Sequence, residues 1–360
     1  MELQELSSNQ ATWIHTKDQN WLIQWDAIQR NHQEGMFTQT SSWLSSYRAY
    51  GFDFELLIKV DSKNQIEAGM ACLLIKAGPF TIYSCPWGPF SPRAEFIPEC
   101  LEKFDQRAKE IGAMVSQLNP AWRADTDILI QNLEDGGYQK GTFLKKVFVP
   151  TDFNMIALPS LEEKDWERIL LKSFSENAKR NIKTALKQEV TLKKVQSFEE
   201  LEEAYACFQA NADREGYTIR SWEDIRDSLW DGVKNENSLV LFAQFQGQTV
   251  GAIWCAHGGN MLSYIMGGVD RTEKDLKLGH LLQWSAISEA VKRNYSRYNI
   301  SVGGSEGVVR FKSSFYPTQI SSSGPYFKVL RKAHYLGFNA VFPFLEKNKK
   351  LASRILKLIK

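Results

Sequence analysis

A glycine-rich turn followed by basic residues occupies positions 299–317, which read NISVGGSEGVVRFKSSFYP. Glycines let backbone N–H groups approach an anion closely, and a Lys or Arg just after such a turn can stabilise a developing oxyanion. Arg310, Phe311 and Lys312 stand in that place. A tight turn with exposed basic residues and no chemistry is the alternative, and the spacing alone leaves both interpretations open.

A second basic element begins near Ser173. Ser173 and Glu176 match the S-x-x-E pattern of a capping box, which predicts that a helix starts here. Basic side chains would line one stripe of that helix: Lys179, Arg180, Lys183 and Lys187. Such a stripe could bind phosphate groups, or it could be a solvated helix face.

The charge of the chain is unevenly distributed. The net charge is only +2, yet residues 172–194 carry seven Lys or Arg against two Glu, and residues 328–360 carry nine against one. Two basic segments on an acidic body indicate partners that carry phosphate or an anionic surface.

Composition and length set the class of protein. The 360 residues, 43% hydrophobic and 24% charged, are typical of a folded chain of about two domains. There is no apolar run long enough to span a bilayer, no secretory signal pattern at the amino terminus and no metal-ligand spacing. We expect a cytoplasmic protein without a metal or cofactor.

The elements that must position these residues follow a pattern that occurs twice. Short apolar runs separated by Gly, Asn or Asp turns predict one β-meander over 55–60, 69–76 and 81–90, and another over 238–245, 251–257 and 261–268. Three- and four-residue apolar spacing predicts flanking helices at 39–50, 95–111, 173–189, 198–214, 221–233 and 276–293. The fold class is α+β or α/β in two tandem units, with a seam near Val149–Pro159.

Five segments together resemble the FemABX peptidyltransferases: FSENAKRNIKTALKQEV (174–190), EGYTIR (215–220), YIMGG (264–268), HLLQWSAI (280–287) and GGSEGVVRFKSSF (303–315). Weaker matches lie at FTQTSSW (37–43) and WGPF (87–90). The resemblance implies two tandem GNAT-like domains, at 1–150 and 151–330, followed by a basic amphipathic helix at 331–360. Between Val190 and Ser238 only two ordinary helices fit, so we expect no long coiled-coil arm.

The same resemblance implies a function. Members of the family transfer an amino acid from aminoacyl-tRNA to the stem peptide of a peptidoglycan precursor. It implies that Lys312, preceded by Phe311, faces the acyl-transfer centre and that Arg220 binds a diphosphate. The remaining expected substrate contacts are Arg180, Lys179, Tyr264, Arg310, Glu306, Trp43 and Arg48, the last beside Tyr47, where members often have a lysine.

Two other functions stay open at this point. One is an acyl-CoA-dependent N-acyltransferase on the same fold, although DLKLGHL (275–281) does not match the pyrophosphate-binding turn of such enzymes. The other is a non-catalytic relative that binds RNA or membrane. Apolar and basic residues alternate over 345–360 as in a helix lying at an anionic membrane surface, at the inner face of the cell membrane.

Overall fold

The computed structural model of the protein describes residues 11–122, 125–143, 147–270 and 275–347. These residues form two compact units. Of the described residues, the first unit contains those within 11–27, 47–151 and 322–347, and the second those within 28–46 and 152–321. Each unit contains a seven-stranded sheet with helices packed on it, so the predicted tandem α+β architecture is confirmed.

The strands within the described ranges are β1 (Thr12–Thr16), β2 (Asp53–Val60), β3 (Ile66–Ala77), β4 (Phe80–Gly88), β5 (Val115–Pro120), β6 (Gln139–Lys140), β7 (Asp152–Ala157), β8 (Val190–Lys194), β9 (Ser238–Phe245), β10 (Gln248–His257), β11 (Met261–Val269), β12 (Arg297–Asn299), β13 (Thr318–Ser321) and β14 (Tyr326–Val329). The α-helices are α1 (Gln19–Asn31), α2 (Ser41–Ser45), α3 (Ile97–Glu110), α4 (Thr126–Asp135), α5 (Trp166–Ser173), α6 (Glu176–Ala185), α7 (Phe198–Glu215), α8 (Trp222–Lys234), α9 (Leu278–Lys292), α10 (Glu306–Ser313) and α11 (Lys332–Lys347).

The two sheets have equivalent strand orders. The first runs β1-β2-β3-β4-β5-β14-β6 and the second, written in the same sense, β8-β9-β10-β11-β12-β7-β13. All neighbours are antiparallel except β4 with β5 and β11 with β12, which are parallel and joined through a helix. In each sheet one inner strand comes from a distant part of the chain, β14 in the first and β7 in the second.

The predicted meanders are confirmed as β2–β3–β4 and β9–β10–β11. Their turns have clear local causes. Between β2 and β3, the Asp61 carboxylate accepts the backbone N–H groups of Lys63 and Gln65, both at 2.8 Å. Between β9 and β10, Gln246 and Gly247 both adopt positive φ, as a two-residue hairpin turn requires.

The second sheet is covered on both faces. Helices α5, α6 and α9 pack on one face around Ile253 and Ile287, and α7 and α8 pack on the other around Phe208 and Trp254. Gly268 permits the close approach of α7, because a Cβ there would lie 2.0 Å from the carbonyl oxygen of Cys207. This packing fixes β11 between two helical layers.

Two features differ from the sequence predictions, and a third agrees. The helix N-cap is Ser175 and not Ser173: the Ser175 hydroxyl accepts the Ala178 N–H at 3.1 Å, whereas Ser173 ends α5. The chain passes from the first unit to the second between Thr151 and Asp152, within the expected seam Val149–Pro159, and β7 begins there. Residues 28–46 pack with the second unit and β14 with the first, so the units do not follow the expected ranges 1–150 and 151–330.

The described residues include the first part of the carboxy-terminal helix that was expected at 331–360. Helix α11 begins at Lys332, and Phe338 packs edge-on against Phe80 with ring centroids 5.4 Å apart. Residues 348–360, most of the expected membrane-binding segment, lie outside the described residues, so that expectation stays a prediction. Within the described ranges, none of the helices is long and apolar enough to cross a bilayer.

Candidate active site

A cleft opens in the second unit where two parallel strands separate. Strand β11 pairs with β12 only from Met261 to Ser263, opposite Arg297 to Asn299. Beyond that point β11 continues beside β10, while the chain after β12 turns towards α10. The resulting cleft has a volume of about 920 Å³ and is lined by β11, the end of α7, the start of α9, residues 301–305 and α10.

Lys312 lies in the wall of this cleft with its side chain almost fully covered, at 6% exposure. Its Nζ donates to Ser301 Oγ at 2.8 Å and to the Gly303 carbonyl oxygen at 3.1 Å. It also lies over the Tyr264 ring, 5.3 Å from the centroid. Burial lowers the pKa of Lys312 from 10.5 to about 8, because the charged form loses water contacts.

The glycine turn and α10 together place this lysine. Gly303 and Gly304 have φ values of +79° and +116°, which side-chain-bearing residues rarely adopt. The chain then enters α10 at Glu306, and Lys312 is the buried residue of that helix. Phe311 also lines the cleft and packs against His280 and Phe315, with ring centroids 4.9 and 5.4 Å apart.

His280 supports this wall as a neutral side chain. Burial is the main cause that lowers its pKa to about 4. Asn181 Nδ2 lies 3.3 Å from His280 Nε2, within hydrogen-bonding distance. The imidazole, which belongs to the first turn of α9, therefore contacts both Asn181 on α6 and the Phe311 ring on α10.

A sequence model of the FemAB family matches residues 23–224, and a model of an acetyltransferase (GNAT) domain matches residues 172–313. The first match covers more than half of the chain. The chain belongs to the FemAB family.

Three solved structures have a similar fold. The crystal structure of FemX is similar with a TM-score of 0.73 and 15% identity, over 90% of this chain and 99% of that one. The structure of L-PGS from Bacillus licheniformis follows with 0.53 and 13%, over 87% and 92%. The carboxy-terminal domain of a putative lysylphosphatidylglycerol synthetase from Agrobacterium fabrum has a TM-score of 0.51 and 11% identity, over 85% and 90%.

No curated protein matches the sequence significantly. The FemAB and GNAT matches identify this chain as a member of transferase families, and the tandem GNAT-like fold that the resemblance implied is confirmed. The family resemblance is confirmed with it.

Three of the expected site residues meet in the cleft of this FemAB-family protein: Lys312, Phe311 and Tyr264. Burial raises the pKa of Tyr264 above its usual range, so its hydroxyl stays protonated. Arg220 lies just outside the cleft, next to Ile219, which lines it. The Arg220 carbonyl oxygen accepts a hydrogen bond from the Tyr205 hydroxyl at 2.7 Å.

Arg310 and Glu306 lie on the opposite side of α10 from Lys312. They form an ion pair at 2.6 Å, and their side chains are 78% and 88% exposed. Neither belongs to the cleft lining. Residues two apart on a helix point in nearly opposite directions, which explains why Arg310 cannot join Lys312.

The basic residues of α6 are also outside the cleft. Lys179 pairs with Glu176, and Arg180 donates to Asn177 Oδ1 at 2.9 Å. Both residues lie on α6. At the start of this helix, the Ser175 backbone N–H donates to the Ser314 carbonyl oxygen at 2.9 Å, so α6 is connected to the end of α10.

The two expected residues from the amino-terminal third occupy different units. Trp43 packs on Phe37 and Trp254, with ring centroids 4.7 and 6.0 Å apart, within the second unit. Arg48 belongs to the first unit, where its guanidinium lies 5.4 Å from the centroid of the Phe54 ring.

Two residues of the cleft were missed by sequence reasoning. Ser301 accepts from Lys312, and Gln283 accepts the Tyr298 hydroxyl at 2.7 Å while it lines the cleft. Gln283 lies three residues after His280 in the segment HLLQWSAI. A polar residue on an otherwise apolar helix face was the sequence feature that could have identified Gln283 as a cleft residue. Among the described residues there is no cluster able to hold a metal ion.

Proposed function

We propose that this protein transfers an amino acid from aminoacyl-tRNA to an amine of the stem peptide of a peptidoglycan precursor. The observation that carries the proposal is the Lys312 ammonium, buried in the wall of a cleft formed by separated parallel strands. The FemAB family membership supports the substrate class. Because charged tRNA is a cytoplasmic molecule, this donor implies a cytoplasmic enzyme.

The reaction needs little covalent help from the protein. The acceptor amine attacks the ester carbonyl carbon, a C–N bond forms, and the carbonyl oxygen becomes a tetrahedral oxyanion. The C–O bond to the ribose then breaks, and the ribose oxygen leaves with a proton that the amine has lost. Positioning of the two substrates and stabilisation of the oxyanion are therefore the main contributions expected of the enzyme.

Lys312 is suited to the second of these tasks. Its ammonium has three N–H donors, of which two reach Ser301 and Gly303, and the third can meet an oxyanion in the cleft. A charge held in a site shielded from water stabilises a developing negative charge more strongly than one in solvent. Phe311 and Tyr264 would shape the space around the reacting ester.

The tRNA backbone would contact the basic side chains of α6. Lys179, Arg180 and Lys183 lie on a helix joined to the end of α10, so a tRNA whose aminoacyl end entered the cleft could place phosphates beside them. In the same proposal, Arg220, next to the cleft, binds a diphosphate of the acceptor. Arg48 and Trp43 remain proposed acceptor contacts on the family resemblance alone.

One observation disfavours acyl-CoA as the donor. At the start of α9, the Asp275 carboxylate accepts the backbone N–H of Lys277 at 3.2 Å and pairs with the Lys277 ammonium. A CoA pyrophosphate held at this helix end would have to displace that carboxylate from both groups.

A transfer assay with separate donors tests the proposal. Purified protein receives either total charged tRNA or acetyl-CoA, with a nucleotide-linked muropeptide, a lipid-linked muropeptide or phosphatidylglycerol vesicles as acceptor. The vesicles are included because a lysylphosphatidylglycerol synthetase shares the fold. Mass spectrometry of the acceptor should show an added aminoacyl residue on a muropeptide only with charged tRNA.

The Lys312→Met variant is the matched control and should form at most a trace of product. Acetylation from acetyl-CoA alone, transfer to phosphatidylglycerol alone, or no product with any pair would each overturn the proposed function.

A further inference from the structure

Ser301, the residue that receives the Lys312 hydrogen bond, has an unusual backbone conformation. Its φ is +62°, in the left-handed region that residues with a Cβ seldom occupy. Glycine would adopt this conformation without strain, and the same loop has glycines at 303 and 304. A serine at this position therefore carries a conformational cost that glycine would not.

The strained conformation is held by asparagines from two neighbouring strands. The Asn299 Oδ1 at the end of β12 accepts the Ser301 N–H at 3.0 Å and the Asn154 N–H at 3.2 Å. The Asn154 Nδ2 on β7 donates to the Ser301 carbonyl oxygen at 3.2 Å. Both backbone groups of Ser301 are thus satisfied by side chains, at the point where β11 and β12 separate.

The chain of contacts ends at Lys312. Ser301 Oγ is 2.8 Å from Nζ, and the only other hydrogen-bond acceptor the structure gives this ammonium among the described residues is the Gly303 carbonyl oxygen. A hydrogen bond to the charged form of a lysine favours that form, so the hydroxyl opposes the effect of burial.

We propose that Asn154 and Asn299 hold Ser301 in this conformation so that its hydroxyl fixes the Lys312 ammonium in the cleft, which makes Ser301 a positioning residue for the transfer reaction. The catalytic half of this statement rests on the proposed function. The geometric half, that Ser301 sets the place and charge of Lys312, does not depend on the identity of the substrate.

Other charged or titratable groups surround Lys312 and must be considered in any pH measurement. They are Arg214 and Glu215 at the end of α7, Tyr217, Tyr264 on β11, His280 on α9, and the exposed pair Glu306 and Arg310 on α10 itself. Arg214 and Glu215 pair with each other at 3.4 Å. The test therefore uses variants that leave all these groups in place.

The test measures the reactivity of Lys312 directly. Trace acetic anhydride acetylates a lysine only in its neutral form, and peptide mass spectrometry at a series of pH values gives the midpoint for Lys312. In the unmodified protein we expect a midpoint near the pKa of about 8. Ser301→Ala and Ser301→Gly should each lower it by about half a pH unit or more, because the ammonium loses an acceptor.

The glycine variant and two further variants sharpen the test. Ser301→Gly also relieves the backbone strain, so a loss of function in that variant cannot come from a strained turn. Asn154→Ala should shift the midpoint in the same direction and add little in combination with Ser301→Ala, since both act through one hydrogen bond. The control is Ser313→Ala on α10, whose hydroxyl donates to the Val309 carbonyl oxygen at 2.9 Å, away from Lys312.

In the transfer assay, the Ser301 variants should lose about tenfold in kcat with little change in KM. An unchanged Lys312 midpoint in both Ser301 variants would overturn the positioning role. A lowered midpoint in a protein that transfers nothing from charged tRNA would support the geometric half and overturn the proposed function, so the two failures are distinguishable.

Discussion

Replacing Lys312 with methionine should remove activity and stabilise the fold at the same time. Burial lowers the lysine pKa from 10.5 to about 8, which corresponds to about 3 kcal/mol against the charged form in the folded state. Because the folded-state pKa is the lower one, this cost is fully present below pH 8, where the side chain is charged in both states. It disappears as the pH rises from 8 to 10.5.

Methionine has a similar length and no charge, so the variant avoids this cost. It leaves Ser301 Oγ and the Gly303 carbonyl oxygen without the ammonium, but both border the cleft, where water can replace it. We expect a net gain of about 1–2 kcal/mol in the free energy of unfolding at pH 7, after about 1 kcal/mol is allowed for the lost hydrogen bonds. The gain should shrink towards pH 10.

Two measurements check the reasoning. Denaturant unfolding at pH 7 and pH 10 gives the stability difference, and the transfer assay should show a loss of about a hundredfold or more in kcat. In the unmodified protein, kcat should fall as the pH rises through about 8, because the proposed role of Lys312 requires its charged form. Turnover that survives in Lys312→Met, or a large loss of stability with it, would refute the assignment.

Three other predictions address neighbouring features. Glu306→Ala or Arg310→Ala should change the free energy of unfolding by less than about 0.5 kcal/mol and leave turnover unchanged, because the pair is exposed; a tenfold loss of turnover would place the pair in the site. Arg180→Glu with Lys183→Glu on α6 should raise KM for charged tRNA and flatten its salt dependence, whereas Arg226→Glu with Lys234→Glu on α8, across the sheet, should not. His257 is buried, and its pKa is lowered to about 3 in the folded protein. As the pH drops from 6.5 towards 3, the unfolded chain binds the proton before the folded one, so the free energy of unfolding should fall. In acid unfolding measurements, His257→Gln should weaken this dependence of stability on pH.

The local part of the fold could be predicted from the sequence. Alternating apolar runs and turn residues such as Asp61 indicated both meanders, and apolar spacing indicated α3, α7, α8 and α9. The inner strands β7 and β14 were not found. Each is short and pairs with a strand far along the chain, and no local pattern specifies such a partner.

The candidate site was predictable to a similar extent. The glycine turn and the family resemblance pointed to Lys312 and Phe311, but reading 310–312 as one basic cluster ignored the helix period, which turns Arg310 to solvent. The sequence did not indicate the contacts of Ser301 with Asn154 and Asn299, for a different reason. Asn154 and Ser301 are almost 150 residues apart in sequence and meet only because β7 lies beside β12.

The two units differ at the one place where the proposed chemistry occurs. In the first, β4 and β5 pair from Ile82 opposite Val115 to Cys85 opposite Leu118 and again, after a register shift, at Gly88 opposite Pro120. The helix after β5 buries Leu129 and Leu133. In the second, β11 and β12 pair over three residues and the helix after β12 buries Lys312. The helix that follows the parallel strand pair thus buries leucines in the first unit and a desolvated cation in the second. Burial of an ammonium costs stability, and the proposed transfer reaction would give this cost a use, because a negative charge must be stabilised beside the cleft.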